Sequence, residues 1–129
     1  MNRIRHWLPV LLWATIIFYF SAQERAPQVS KNEGTQLALQ KVGHATEYAI
    51  LALLVHLALR RGHQFNLRRA TILAALIAAG YGVTDEFHQS FVPGRYCMMS
   101  DMAIDATGGI IAATALYAYE SRRSQQTNR

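Results

Sequence analysis

Between Tyr81 and Gly109 the chain reads YGVTDEFHQSFVPGRYCMMSDMAIDATGG, and this stretch holds Asp85, Glu86, Asp101 and Asp105, four of the eight acidic residues. His88, Gln89 and Arg95 lie among them. A second polar group comes earlier, with Lys41, His44 and Glu47 in KVGHATEY. Carboxylates and imidazoles pass protons, and lysine or arginine can hold a phosphate or carboxylate. The set therefore suits acid–base work on an anionic substrate. Asp85, Glu86, His44 and Asp101 are the candidate catalytic groups; Lys41, Gln89, Arg95 and Asp105 are the candidate substrate-binding groups. His44, Glu47, Asp85, His88 and Asp101 also offer nitrogen and oxygen ligands for a divalent ion. No HExxH-type pair accompanies them, so the sequence assigns no metal ligand and leaves the cofactor open. A serine nucleophile elbow is missing, which argues against acyl transfer through one.

Helical spacing must bring these groups together. Lys41, His44 and Glu47 are spaced by three and share one helix face. Asp85 and Gln89 stand four apart with Tyr81 a turn earlier, and Asp101 and Asp105 also stand four apart. Each group abuts an apolar run, and four such runs predict spans at about 7–22, 42–59, 70–89 and 98–119. The expectation is an all-α membrane protein, a four-transmembrane-helix bundle forming a single domain over 1–129. The first run falls short of the ~20 residues of a spanning helix, but Trp7, Trp13 and Tyr19 suit the membrane interfaces. Pro9 sits in its first turns, where a missing N–H is tolerated. A basic start and an apolar run also fit a cleaved signal peptide. Phe20 before Ser21-Ala22-Gln23 makes a poor cleavage pattern, so an uncleaved signal-anchor helix is expected.

The remaining segments read as connections. Residues 23–41 suggest a polar outer loop with a short amphipathic helix, broken at Pro27. Gly62 to Asn66 suggests a short loop, and Phe91-Val92-Pro93-Gly94 a turn. The basic tail 121–129 reads as disordered. Runs three and four are rich in Ala and Gly, which lets helices approach closely and permits oligomers. His56, alone in an apolar stretch, reads as a hydrogen-bonded packing residue. Cys97 is the sole cysteine, so no internal disulfide forms, and it reads as a small packed hydrophobe.

Composition and charge separate the broad classes. The chain is 51% hydrophobic with a net charge of +5. Its basic residues cluster beside apolar runs rather than interleaving with aromatics, which argues against a nucleic-acid partner and for a lipid bilayer. With four spans, Arg3, Arg5, Arg60, Arg61, Arg68, Arg69, Arg122, Arg123 and Arg129 share one side, nine of thirteen basic residues. The positive-inside rule puts that side, and both termini, in the cytoplasm. Lys41, His44 and Glu47 then meet Asp85–Gln89, Arg95 and Asp101–Asp105 at the outer face.

K-x-x-H at Lys41/His44, D-E-x-H-Q-x-F-x-P-G-R from Asp85 to Arg95, and D-x-x-x-D-x-x-G from Asp101 to Gly108 resemble the VanZ-like family. These are small bacterial membrane proteins related to a protein of teicoplanin resistance. The resemblance runs from about Trp7 to Tyr119. The chain departs from the family pattern at Met98, where a small residue or Ser is usual, and at Asp105, where Asn is common. The resemblance implies the bacterial cytoplasmic (inner) membrane, a cell-envelope role and a lipid-linked or peptidoglycan-related substrate. It brings no settled mechanism, and glycopeptide resistance does not transfer by default. Three readings stay open: an enzyme on an anionic envelope substrate, a non-catalytic binding or transport module, and a structural membrane module fastened by ion pairs.

Overall fold

The computed structural model describes residues 3–23, 30–93 and 99–127. After a 3-10 turn at Arg3–His6 come four helices: α1 (Leu8–Ser21), α2 (Glu33–His63), α3 (Leu67–Gln89) and α4 (Met99–Thr127), with no strand among the described residues. α2, α3 and α4 are long and apolar enough to cross a membrane; α1 is apolar but shorter. At 1.5 Å per residue the 23 residues of α3 reach about 34 Å, against ~30 Å of hydrocarbon. The 14 residues of α1 reach only about 21 Å.

The helices run alternately up and down. Trp7 at the start of α1 donates from its indole nitrogen to His63 at the end of α2, 2.9 Å away. α3 returns antiparallel to α2, and α4 then lies parallel to α2: Lys41 meets Asp101 at one end and His56 meets Glu120 at the other. The 3-10 turn, residues 64–66 and the end of α4 therefore share one end of the bundle. Asn32 and Asn66 start α2 and α3, their side chains accepting from the backbone N–H of Thr35 and Arg69, as N-caps should. Gln64 ends α2 with φ 56°, and the Arg60 guanidinium secures the connection by donating to the Phe65 carbonyl at 2.9 Å.

Packing rests on small residues. Ala70, Ala74, Ala78 and Gly82 form a buried stripe, four residues apart, along α3. Gly108 lies so close to α2 that a Cβ there would collide with the Ala45 carbonyl and come within 2.9 Å of the Ala45 Cα. Only a glycine permits this approach of α4 to α2. The bundle carries polar groups inside an otherwise apolar core and is apolar outside: His56, Asp85, Glu86, Gln89 and Asp105 are buried, while Leu11, Leu12, Leu76, Phe87 and Ile111 are mostly exposed. Such an apolar exterior, with polar groups withdrawn to the interior, suits lipid rather than water.

Two segments differ from the sequence expectation. Residues 33–41, read as part of a polar loop with a short amphipathic helix, are the first turns of α2 itself, because Asn32 caps the helix there. Residues 121–127, read as part of a disordered tail, continue α4. The break expected at Pro27 lies outside the described residues.

Candidate functional site

The α3 stripe of small residues ends in polar ones. Continuing the same spacing past Gly82 brings Asp85, Glu86 and Gln89 to the buried face, so the small-residue face of α3 carries carboxylates into the three-helix interface. Because α2 and α4 are parallel, their polar positions pair rung by rung. At the mouth, Lys41 Nζ donates to Asp101 Oδ1 at 3.2 Å, both side chains partly exposed. One turn deeper His44 Nδ1 comes within 3.3 Å of Asp105 Oδ1, and the Asp105 side chain has no solvent exposure. Deeper still is Tyr48, whose ring edge and the Asp105 Cβ together close over Gly82.

The buried end of this ladder is crowded with oxygen. Glu86 is fully buried and Asp85 is 4% exposed. Gln89 Nε2 donates to Asp85 Oδ2 at 3.1 Å. Neither oxygen of Asp105 finds an aligned hydrogen-bond donor; the approach to His44 is close in distance but not aligned as a hydrogen bond. The Tyr48 hydroxyl also lacks an aligned partner, although it lies beside the Asp85 and Asp105 carboxylates. One ligand atom each from His44, Glu86 and Asp105 lie within 4.8 Å of one another. Two buried carboxylates and an imidazole so close, with Asp85 also buried nearby, need compensation by a cation or a proton.

The sequence candidates divide accordingly. Lys41, His44, Asp85, Glu86, Gln89, Asp101 and Asp105 come to one end of the α2–α3–α4 interface. Arg95 lies outside the described residues, as does Cys97. Glu47 was grouped with His44 by spacing; its backbone carbonyl accepts from the Trp13 indole at 2.9 Å. His88 stacks on Phe18 of α1 with ring centroids 4.4 Å apart, and so faces the first helix. Tyr48 is the residue whose place at the site was missed. Its spacing of four from His44 signals the shared face. His56 is the bonded packing residue expected, 3.2 Å from Glu120, which Arg60 also holds at 3.1 Å.

These geometries carry the motifs that ran through the sequence, and comparison with known proteins bears on them directly. No curated protein and no solved structure matches the chain. The model of one family, VanZ/LLP1, matches residues 6–120, which takes in α1, α2, α3 and most of α4. The chain belongs to the VanZ/LLP1 family.

Proposed function

We propose that the protein is a four-span protein of the bacterial inner membrane, with both termini cytoplasmic, that engages an anionic envelope or lipid-linked substrate at the α2–α3–α4 site. The observation that carries this reading is the gradient of polar groups along α2 and α4. A half-open cation, Lys41, stands at the mouth beside Asp101, and His44, Asp105, Asp85 and Glu86 follow inward. In this arrangement Lys41, with Arg95 six residues after Gln89 in the sequence, holds the phosphate or carboxylate of the substrate. His44 and the carboxylates behind it exchange protons with the bound group. Gln89 orients Asp85 through its amide. The small headgroup end of a lipid reaches such a site from the membrane interface without leaving the bilayer.

The test is mass spectrometry of envelope lipids and precursors incubated with purified protein, comparing wild type with Asp85→Asn and Lys41→Ala. Conversion or stoichiometric binding by wild type, lost in well-folded variants, is the expected result. Wild type that neither converts nor binds any of these anions overturns the reading. A second reading, a purely structural module, is favoured by the bridges at both ends of the α2–α4 pair, Lys41–Asp101 and Arg60–Glu120. Exposed pairs of this kind contribute roughly 1 kcal/mol or less. Collapse of the bundle when either pair is removed would support that module instead.

A further inference from the structure

We infer that His44, Glu86 and Asp105 bind a divalent transition-metal ion, Zn2+ or Mn2+, between α2, α3 and α4. Each helix supplies one ligand, and the three ligand atoms stand within 4.8 Å of one another. Around a tetrahedral ion with bonds of ~2.1 Å, ligand atoms lie roughly 3.4 Å apart. The His44–Asp105 pair already has that spacing at 3.3 Å, and a Glu86 oxygen lies within 4.8 Å of both ligand atoms. One imidazole with two carboxylates is a mixed nitrogen and oxygen set, which suits Zn2+ or Mn2+ better than Ca2+ or Mg2+, which prefer oxygen alone.

A cluster of acids alone would not point to an ion; the state of its neighbours does. Asp105 has no exposure, and neither carboxylate oxygen meets an aligned donor. The Tyr48 hydroxyl, also fully buried and without an aligned partner, lies beside Asp105 and the neighbouring Asp85. A cation at the centre engages the oxygens of Asp105 directly. It also gives Tyr48 a partner, since metal-ligating carboxylates and metal-bound water characteristically take hydrogen bonds from surrounding groups. Lys41 does not supply the missing charge, because it is held at the mouth by Asp101. The ligands come from three helices, so the ion would also hold together the interface the proposed substrate meets. The inference rests on the proposed function only in treating this cluster as the site.

The test uses the full chain, untagged, in detergent. Protein stripped with a chelator is loaded with Zn2+ or Mn2+, desalted and assayed for metal by mass spectrometry, with no lipid present. One equivalent retained per chain is expected, with at least tenfold weaker retention in His44→Gln and in Asp105→Asn. His63→Gln, at the opposite end of the bundle, should retain the full equivalent and so account for surface histidine binding. X-ray absorption of the Zn2+-loaded wild type gives a readout that needs no variant: one imidazole and otherwise oxygen neighbours. Less than stoichiometric retention by wild type overturns the inference, as does a shell with sulfur or several imidazoles, or full retention by both ligand variants. Lipid binding by metal-free protein would leave the substrate reading intact while the metal site fails; metal retention without lipid binding would do the reverse.

Discussion

Asp101 and Asp105 are one helical turn apart, yet their surroundings give them opposite roles. Asp101 stands at the mouth with a lysine partner, and Asp105 is sealed against Gly82 and Tyr48 without an aligned donor. An exposed ion pair contributes roughly 0–1 kcal/mol, so Asp101→Asn should change the stability of the purified protein very little. A buried carboxylate lacking good partners is destabilising, and a neutral group of the same shape relieves that. Asp105→Asn should therefore raise the thermal midpoint of chelator-treated protein, a gain in stability on the order of 1–2 kcal/mol, while weakening metal retention at least tenfold. Thermal unfolding followed by circular dichroism in detergent measures both variants. A marked fall in the midpoint of Asp105→Asn would mean that the carboxylate is holding the helices together. The sequence marked both aspartates as site residues from their spacing, but which one is sealed follows from the close approach of α3, and no local pattern encodes that.

At the scale of the helices, much was legible and the failures have physical causes. Apolar runs marked the positions of all four helices because lipid-facing and packed positions alike are apolar. Their ends were obscured because α2 and α4 continue beyond the apolar stretches on polar residues. The first turns of α2 read as a short helix within a polar loop rather than as the start of the span, although Asn32 followed by Thr35 is the capping pattern that begins the helix there. The meeting of α2 and α4 was legible only as polar groups converging at one face; their tight backbone contact was not, since it depends on which glycine meets which backbone. Gly108 sits against the Ala45 carbonyl, and Gly80 has open space around it. Gly108→Ala must push α4 away from α2, separating His44 from Asp105; overpacking of this kind costs about 1–3 kcal/mol. Gly80→Ala gains helix propensity of up to about 1 kcal/mol without a clash. Folded yield and melting in detergent should fall for Gly108→Ala and hold or rise for Gly80→Ala. Equal behaviour of the two variants would remove the case for the tight α2–α4 contact.

For the molecule as a whole, the decisive property is that its two ends differ. One end gathers the 3-10 turn at Arg3–His6, the connection after Arg61, and Arg122 and Arg123 near the end of α4; the other presents Lys41 and Asp101 at the mouth of the buried cluster. Lysine and arginine beside a span are retained on the cytoplasmic side during insertion, so the basic end should face the cytoplasm and the mouth the envelope. This orientation decides which substrates can reach the site. In cells carrying Cys97→Ser, a new cysteine from Leu39→Cys, an exposed position two residues before Lys41, should react with a membrane-impermeant maleimide in intact cells. A cysteine from Gln125→Cys, at the exposed far end of α4, should react only after the membrane is broken. A reporter fused after Arg129 should likewise be active in its cytoplasmic form. The reverse pattern would turn the mouth inward, place lipid-linked envelope precursors of the outer leaflet beyond reach, and leave cytoplasmic-leaflet headgroups as the anions for Lys41 to meet.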